Sequence, residues 1–204
     1  MKKHENNNIG LTIIEMIVYL SIFSIIMLAV IFSVASFYKY NAYGLEQSQA
    51  VDSARRGIDP AINNIREATY SDEGAYPIIS ASPNSFSFYS DIDGDNNIEK
   101  VRLYLDVSDN TFKKGITKSA GNPLTYSGQP ETLITLADNV RNIEQGVDIF
   151  KYYDNTGAEV VNLANISSIT FVTMSVVVNV NPARAPNDFT LRASAALRNL
   201  KSNL

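Results

Sequence analysis

Two groups of carboxylates carry the residue types and spacings in this 204-residue chain that point to chemistry. The first is Asp91-Ile92-Asp93-Gly94-Asp95-Asn96-Asn97-Ile98-Glu99. Three aspartates at alternate positions, with a glutamate after them, offer the hard oxygen ligands that Ca²⁺ prefers. Asp91, Asp93, Asp95 and Glu99 are thus a candidate metal set, and Ca²⁺ is the one cofactor the sequence brings into question. The run departs from an EF-hand loop: its glycine is at the fourth loop position instead of the sixth, and Arg102, not a glutamate, stands at the twelfth. Asp-Gly and Asn-Asn are also residues that turn a β-hairpin, and a plain turn between two strands is the reading the sequence favours. The second group is a single residue, Glu15. It sits at the head of an apolar run, Met16 to Tyr38, that contains no charge, no proline and no glycine. An ionisable group in such a place is costly unless something pairs with it.

Most other chemistry lacks its parts. There is no cysteine, and the only histidine is His4. Cys/His zinc sites and Ser–His or Cys–His nucleophile pairs therefore have no residues in the body of the chain. Carboxylate-only and Ser–Lys chemistry stay open on composition, but no spacing points to either, so a non-enzymatic protein is expected. A net charge of −4 argues against a nucleic-acid partner, which usually meets a basic patch or stripe. The closest basic pair, Arg55-Arg56, falls on the polar face of a helical pattern.

The element that must position Glu15 is the apolar run itself, longer than the ~20 residues a helix needs to cross a bilayer core. Lys2 and Lys3 ahead of it predict a cytoplasmic N-terminus, a single pass through the cytoplasmic membrane and an extracytoplasmic remainder. A secretory signal peptide cut after Ser33-Val34-Ala35 is one alternative, although its apolar core is expected to be only ~7–15 residues. A plain signal anchor is another: it tethers an extracytoplasmic binding domain, with the acidic run as its Ca²⁺ or ligand site. Neither gives Glu15 any work. An interfacial Glu15, snorkelling toward the cytoplasmic side, is the simplest account of its charge.

A short basic leader, then Gly10-Leu11-Thr12-Ile13-Ile14-Glu15, then a long apolar helix, resembles the class III signal of type IV pilins and pseudopilins. In that family a prepilin peptidase cuts after the glycine, the new N-terminus is methylated, and the helix stays as the first segment of the mature subunit. The resemblance implies cleavage between Gly10 and Leu11, methylation at Leu11, and Glu15 as the fifth mature residue, where the family carries its characteristic glutamate. The family most often has phenylalanine where this chain has Leu11. The implied partners are other pilin or pseudopilin subunits, the peptidase/methyltransferase, an inner-membrane assembly platform and membrane lipid. Glu15 would pair with the amino terminus of a neighbouring subunit and set the axial register of helices in a filament. A buried polar group can select one alignment in this way.

Past Tyr38 the pattern turns amphipathic. Leu45, Val51, Ala54, Ile58, Ala61, Ile62 and Ile65 recur at helical spacing. One long helix is predicted, interrupted or kinked at Gly57-Ile58-Asp59-Pro60 and ending near Thr69, with its amphipathic half against a sheet. Strands are predicted at Ile78–Ala81, Ser85–Ser90, Lys100–Asp106, Thr111–Lys114, Glu131–Leu136, Asp148–Tyr153, Ile169–Val180 and Asp188–Arg198. Gly115–Pro130 reads as a long surface loop, and Pro182–Pro186 as the connection of a final hairpin. The fold class is α+β, a long N-terminal helix packed on an antiparallel sheet. The expected organisation is a leader over 1–10, a transmembrane or filament-core helix over 11–38, an amphipathic helix over 39–69 and a β-rich head over 70–204. Three local features extend the resemblance to J-type pseudopilins of type II secretion and W-type minor pilins. These are Ile65-Arg66-Glu67-Ala68-Thr69, the Asp/Gly-rich turn, and Leu197-Arg198-Asn199-Leu200 at the end of the last strand.

Overall fold

A computed structural model describes residues 12–183 and 188–198. Its elements run α1 (Ile13–Arg66), β1 (Ile78–Ser82), β2 (Ser85–Ser90), β3 (Glu99–Asp106), β4 (Thr111–Lys118), β5 (Thr132–Ala137), β6 (Phe150–Tyr153), β7 (Phe171–Val178) and β8 (Phe189–Ala196), with one 3-10 turn at Ile166–Ser168. This is the expected α+β order, and each predicted strand is present to within a few residues. Two compact units divide the chain, one ending at Leu45 and the other beginning at Glu46.

In the first unit, every residue from Thr12 to Ala42 is exposed. The helix here is long and apolar enough to cross a membrane: Met16 to Tyr38 covers about 33 Å at about 1.5 Å per residue. Two of its serines are turned back on the helix. The Ser21 hydroxyl donates to the Ile17 carbonyl at 2.8 Å, and the Ser24 hydroxyl to the Leu20 carbonyl at 2.7 Å. Such back-bonding satisfies these two hydroxyl donors within the helix.

The second unit is built on Ala54, Ile58, Ala61, Ile62 and Ile65, the stripe read from the sequence, all of them buried. Leu45 and Val51 mark where that stripe begins to open: Leu45 is exposed and Val51 only partly covered. Of the interruption or kink expected at Gly57–Pro60, the interruption does not occur, because α1 continues through Pro60 to Arg66. Proline removes one helical hydrogen bond, but the buried stripe on either side keeps the segment helical. Gly57 has a packing role instead. A Cβ built on it would lie 2.2 Å from the Leu136 carbonyl oxygen on β5, so glycine is what lets the helix backbone approach the strand so closely.

The expected single sheet is two. Strands β1 to β5 form one antiparallel meander in sequence order, and β6-β7-β8 form a second sheet. The final pair, β7 and β8, is antiparallel as expected; its connection runs partly through residues outside those described. The sheets meet through aromatic rings. Phe86 on β2 lies 5.9 Å from Phe150 and 5.4 Å from Tyr152 on β6, and Phe112 on β4 lies 6.0 Å from Phe150. The buried Tyr152 hydroxyl donates to the Ser82 carbonyl at 2.8 Å, which supplies the partner a buried phenol needs.

Strand β4 corrects a third expectation. It does not end at Lys114 but runs to Lys118, pairing with β3 along its whole length, and an isolated bridge joins Ala120 and Thr125 beyond it. The stretch Gly115–Pro130 is therefore partly sheet. Gly115 stands inside the strand, although glycine usually marks a strand's end or a bulge.

Candidate functional site

At the head of α1, Thr12 and Glu15 form a reciprocal cap. The Thr12 amide and hydroxyl each donate to Glu15 Oε2 at 3.2 Å, and the Glu15 amide donates to Thr12 Oγ1 at 3.4 Å. This is a capping box, in which a threonine and a glutamate three residues on satisfy each other's amides at a helix start. Thr12 was legible in the sequence through that Thr-x-x-Glu spacing, and sequence reasoning passed over it. Both residues are exposed. No cation pairs with Glu15 among the described residues. Gly10 and Leu11 lie outside the described residues.

The second site lies where β2 gives way to β3. Register fixes its geometry. Along β3, burial alternates strictly, so Val101, Leu103 and Leu105 face inward and Lys100, Arg102 and Tyr104 are more open. Glu99 is the first residue of that strand and falls on the inward side, where it is 0% exposed. In the ladder it stands opposite Ser90 on β2 and Lys118 on β4. The turn before it folds on its own side chains. Asp91 accepts from the Gly94 amide at 2.7 Å and the Asn96 amide at 3.2 Å, and Asp95 accepts from the Asn97 amide at 2.8 Å. Gly94 and Asn96 take left-handed backbone angles, φ 76° and 66°, which glycine and asparagine adopt most readily. The exit of the turn is pinned from outside: Asp72 accepts from the Ile98 amide, and the Tyr126 hydroxyl donates to the Ile98 carbonyl at 2.6 Å.

Of the four predicted ligands, the fold gathers three. One carboxylate oxygen each from Asp91, Asp93 and Glu99 lie within 4.8 Å of one another. Asp95 is outside that set, its carboxylate turned to the Asn97 amide. Lys118, expected within the Gly115–Pro130 loop, reaches the same cluster. Its ammonium bonds to Asp93 and stands 3.5 Å from Glu99 Oε1 and 3.6 Å from Asp95. Glu99 Oε2 accepts from the Ile92 amide at 3.1 Å, while Oε1 is buried and accepts no hydrogen bond. Burial pushes the Glu99 carboxyl above its ordinary range, opposed by the Ile92 amide and reinforced by the Asp93 charge. The Asn97 amide holds Asp95 below the usual carboxylate range, and the bond to Asp93 raises Lys118.

Residues 6–31 match the family model described as the prokaryotic N-terminal methylation motif. The matched segment contains Gly10, Leu11, Thr12 and Glu15, and none of the β-rich unit. No curated protein and no solved structure matches the chain.

Proposed function

We propose that this chain is a structural, non-enzymatic pilin-like subunit, a minor pilin or pseudopilin of a type IV pilus-like or type II secretion filament. The observation that carries the reading is the methylation motif over residues 6–31, followed directly by an exposed apolar helix. Motif and helix together fit a prepilin signal, N-terminal methylation and a transmembrane segment.

On this reading prepilin peptidase cuts between Gly10 and Leu11, and Leu11 is then methylated. The helix anchors the subunit in the cytoplasmic membrane before assembly, with the head outside, and afterwards packs among the helices of other subunits. Glu15 supplies the register. In the isolated chain its only hydrogen-bonding partner among the described residues is Thr12, which brings no positive charge. Exposure makes that tolerable. Packed among apolar helices, the same carboxylate loses water and requires a cation, and the amino terminus that cleavage creates on a neighbouring subunit is one. The capping box keeps the carboxylate directed toward the helix start, where such a terminus would arrive. The J-type or W-type assignment rests on the three local features of the sequence and on the strand order they precede.

Intact mass and N-terminal sequencing of the protein purified from its own cells test this proposal. A methylated Leu11 is the expected result. A chain beginning at Ser36 would make it a secreted protein, and one retaining Met1 would make it a signal-anchored binding domain; either overturns the reading.

A further inference from the structure

We propose that the β2–β3 turn is a Ca²⁺ site in which Asp91, Asp93 and Glu99 are the protein ligands and the Lys118 ammonium is a built-in competitor for the same oxygens.

The inference begins with Glu99. Side-chain direction in a strand has a period of two, and the residues sharing its phase on β3 are Val101, Leu103 and Leu105. A carboxylate on that side has been taken out of water, at a cost that only a cation or a full set of hydrogen bonds offsets. Glu99 has neither in full. Its Oε2 has one amide donor; its Oε1 has no hydrogen bond, and the nearest positive charge is Lys118 at 3.5 Å. One oxygen of this buried carboxylate lies within 4.8 Å of oxygens of Asp91 and Asp93.

Lys118 does not fill that point well. Its bond goes to Asp93, with Glu99 and Asp95 at longer range, and its side chain is 58% exposed. A single positive charge is therefore shared among Asp93, Asp95 and Glu99, with the Asp91 carboxylate close by. A flexible, half-solvated lysine can leave at small cost, whereas Glu99 cannot. A divalent ion at the same point would bring twice the charge and reach the oxygen that Lys118 does not bond.

Three oxygens within 4.8 Å of one another can all lie about 2.4 Å from one Ca²⁺, whose flexible coordination tolerates an irregular set. Mg²⁺ demands near-ideal octahedral geometry at about 2.0–2.1 Å and dehydrates reluctantly, so three side chains hold it less readily. Three side chains leave several positions to water, and ion entry requires Lys118 to move aside. Both features place the affinity in the weak range of extracellular modules, a Kd of about 10⁻⁴–10⁻³ M.

The test is calorimetric titration of the full chain in detergent micelles with CaCl₂, after chelator treatment, alongside MgCl₂. The wild type is expected to bind one Ca²⁺ per chain in that range. Lys118→Met removes the competitor and is expected to tighten binding at least about threefold. Asp93→Asn is expected to weaken it about tenfold, since affinity in such sites follows ligand charge. Asp93 is exposed, so this variant keeps the fold, which tyrosine near-UV circular dichroism verifies. Glu99→Gln keeps the shape and the bond from Ile92 while removing the charge, and is expected to abolish binding. No binding by either the wild type or Lys118→Met overturns the proposal. So does binding indifferent to Asp93→Asn, affinity unchanged in Lys118→Met, or an equal response to Mg²⁺.

Discussion

Replacing Gly57 with alanine sets two effects of known sign against each other. In a helix interior alanine is favoured over glycine by about 0.8–1.0 kcal/mol, so the propensity of α1 alone predicts stabilisation. The packing predicts the reverse. The new Cβ would lie 2.2 Å from the Leu136 carbonyl oxygen and 2.8 Å from the Leu136 carbonyl carbon and Cα. An ordinary carbon–oxygen approach is about 3.3–3.6 Å, so helix and strand must separate by about 1 Å. The obstructing atoms are backbone and cannot rotate away. Neighbouring Ala54, Ile58 and Ala61 are all buried and would lose contacts in the same movement. Overpacking of this kind costs about 1–3 kcal/mol. Net of propensity, Gly57→Ala is expected to destabilise the head by up to about 2 kcal/mol, or up to about 8 °C in Tm at this size. Thermal and urea unfolding of the full chain in micelles, followed by tyrosine near-UV circular dichroism, would measure it; the chain has 11 tyrosines and no tryptophan to confuse the signal. Gly44→Ala is the control, since its Cβ would meet nothing within 4 Å and only the propensity gain remains. A Gly57→Ala protein more stable than wild type would refute the close approach of α1 to β5.

Further outcomes follow from other parts of the molecule. Glu15→Ala is expected to leave leader cleavage intact and to abolish incorporation into filaments, measured by immunoblot of sheared filaments against membranes; unchanged incorporation would remove its register role. Phe86→Ala deletes a fully buried ring in contact with Phe88, Phe150 and Tyr152 and should cost about 3–5 kcal/mol in urea unfolding. Asn142→Ala strips a buried amide that donates to the Val147 and Ser175 carbonyls and accepts from the Val177 amide. With roughly 1–3 kcal/mol for each buried group left unpaired, a loss of at least about 2 kcal/mol is expected. Asp106 is held down to about 2 by the Lys113 ammonium and then by Ser108. Its folded pKa lies below the unfolded value, so the stability it contributes is present above about pH 4 and fades as pH falls toward 2. An acid titration of unfolding should lose less stability over that window in Lys113→Met than in wild type.

What the sequence determined by itself is whatever rests on neighbours along the chain. The apolar run from Met16 to Tyr38, the Thr12-x-x-Glu15 cap and the leader motif are local patterns. A helix satisfies its own backbone, so composition over one turn after another was enough to find it. The alternation in Ser85–Ser90 and Val101–Leu105 likewise placed β2 and β3, because the period of two is a property of a single strand. The acidic turn was visible as a row of oxygens.

Tertiary structure decided which of those features work together. Gly57 and Pro60 read as a helix break, and the helix passes through them because the stripe around them is buried and β5 presses against the glycine. That contact lies far along the chain, beyond any local window. Gly115 read as the start of a loop, and the register of β4 against β3 carries the strand past it. Only that pairing sets Lys118 opposite Glu99, and only the phase of β3 turns Glu99 inward while Asp95 is left outside the cluster. Charge and turn residues along the chain offered four equivalent carboxylates; strand register made one of them buried, and brought the cation that contends for it.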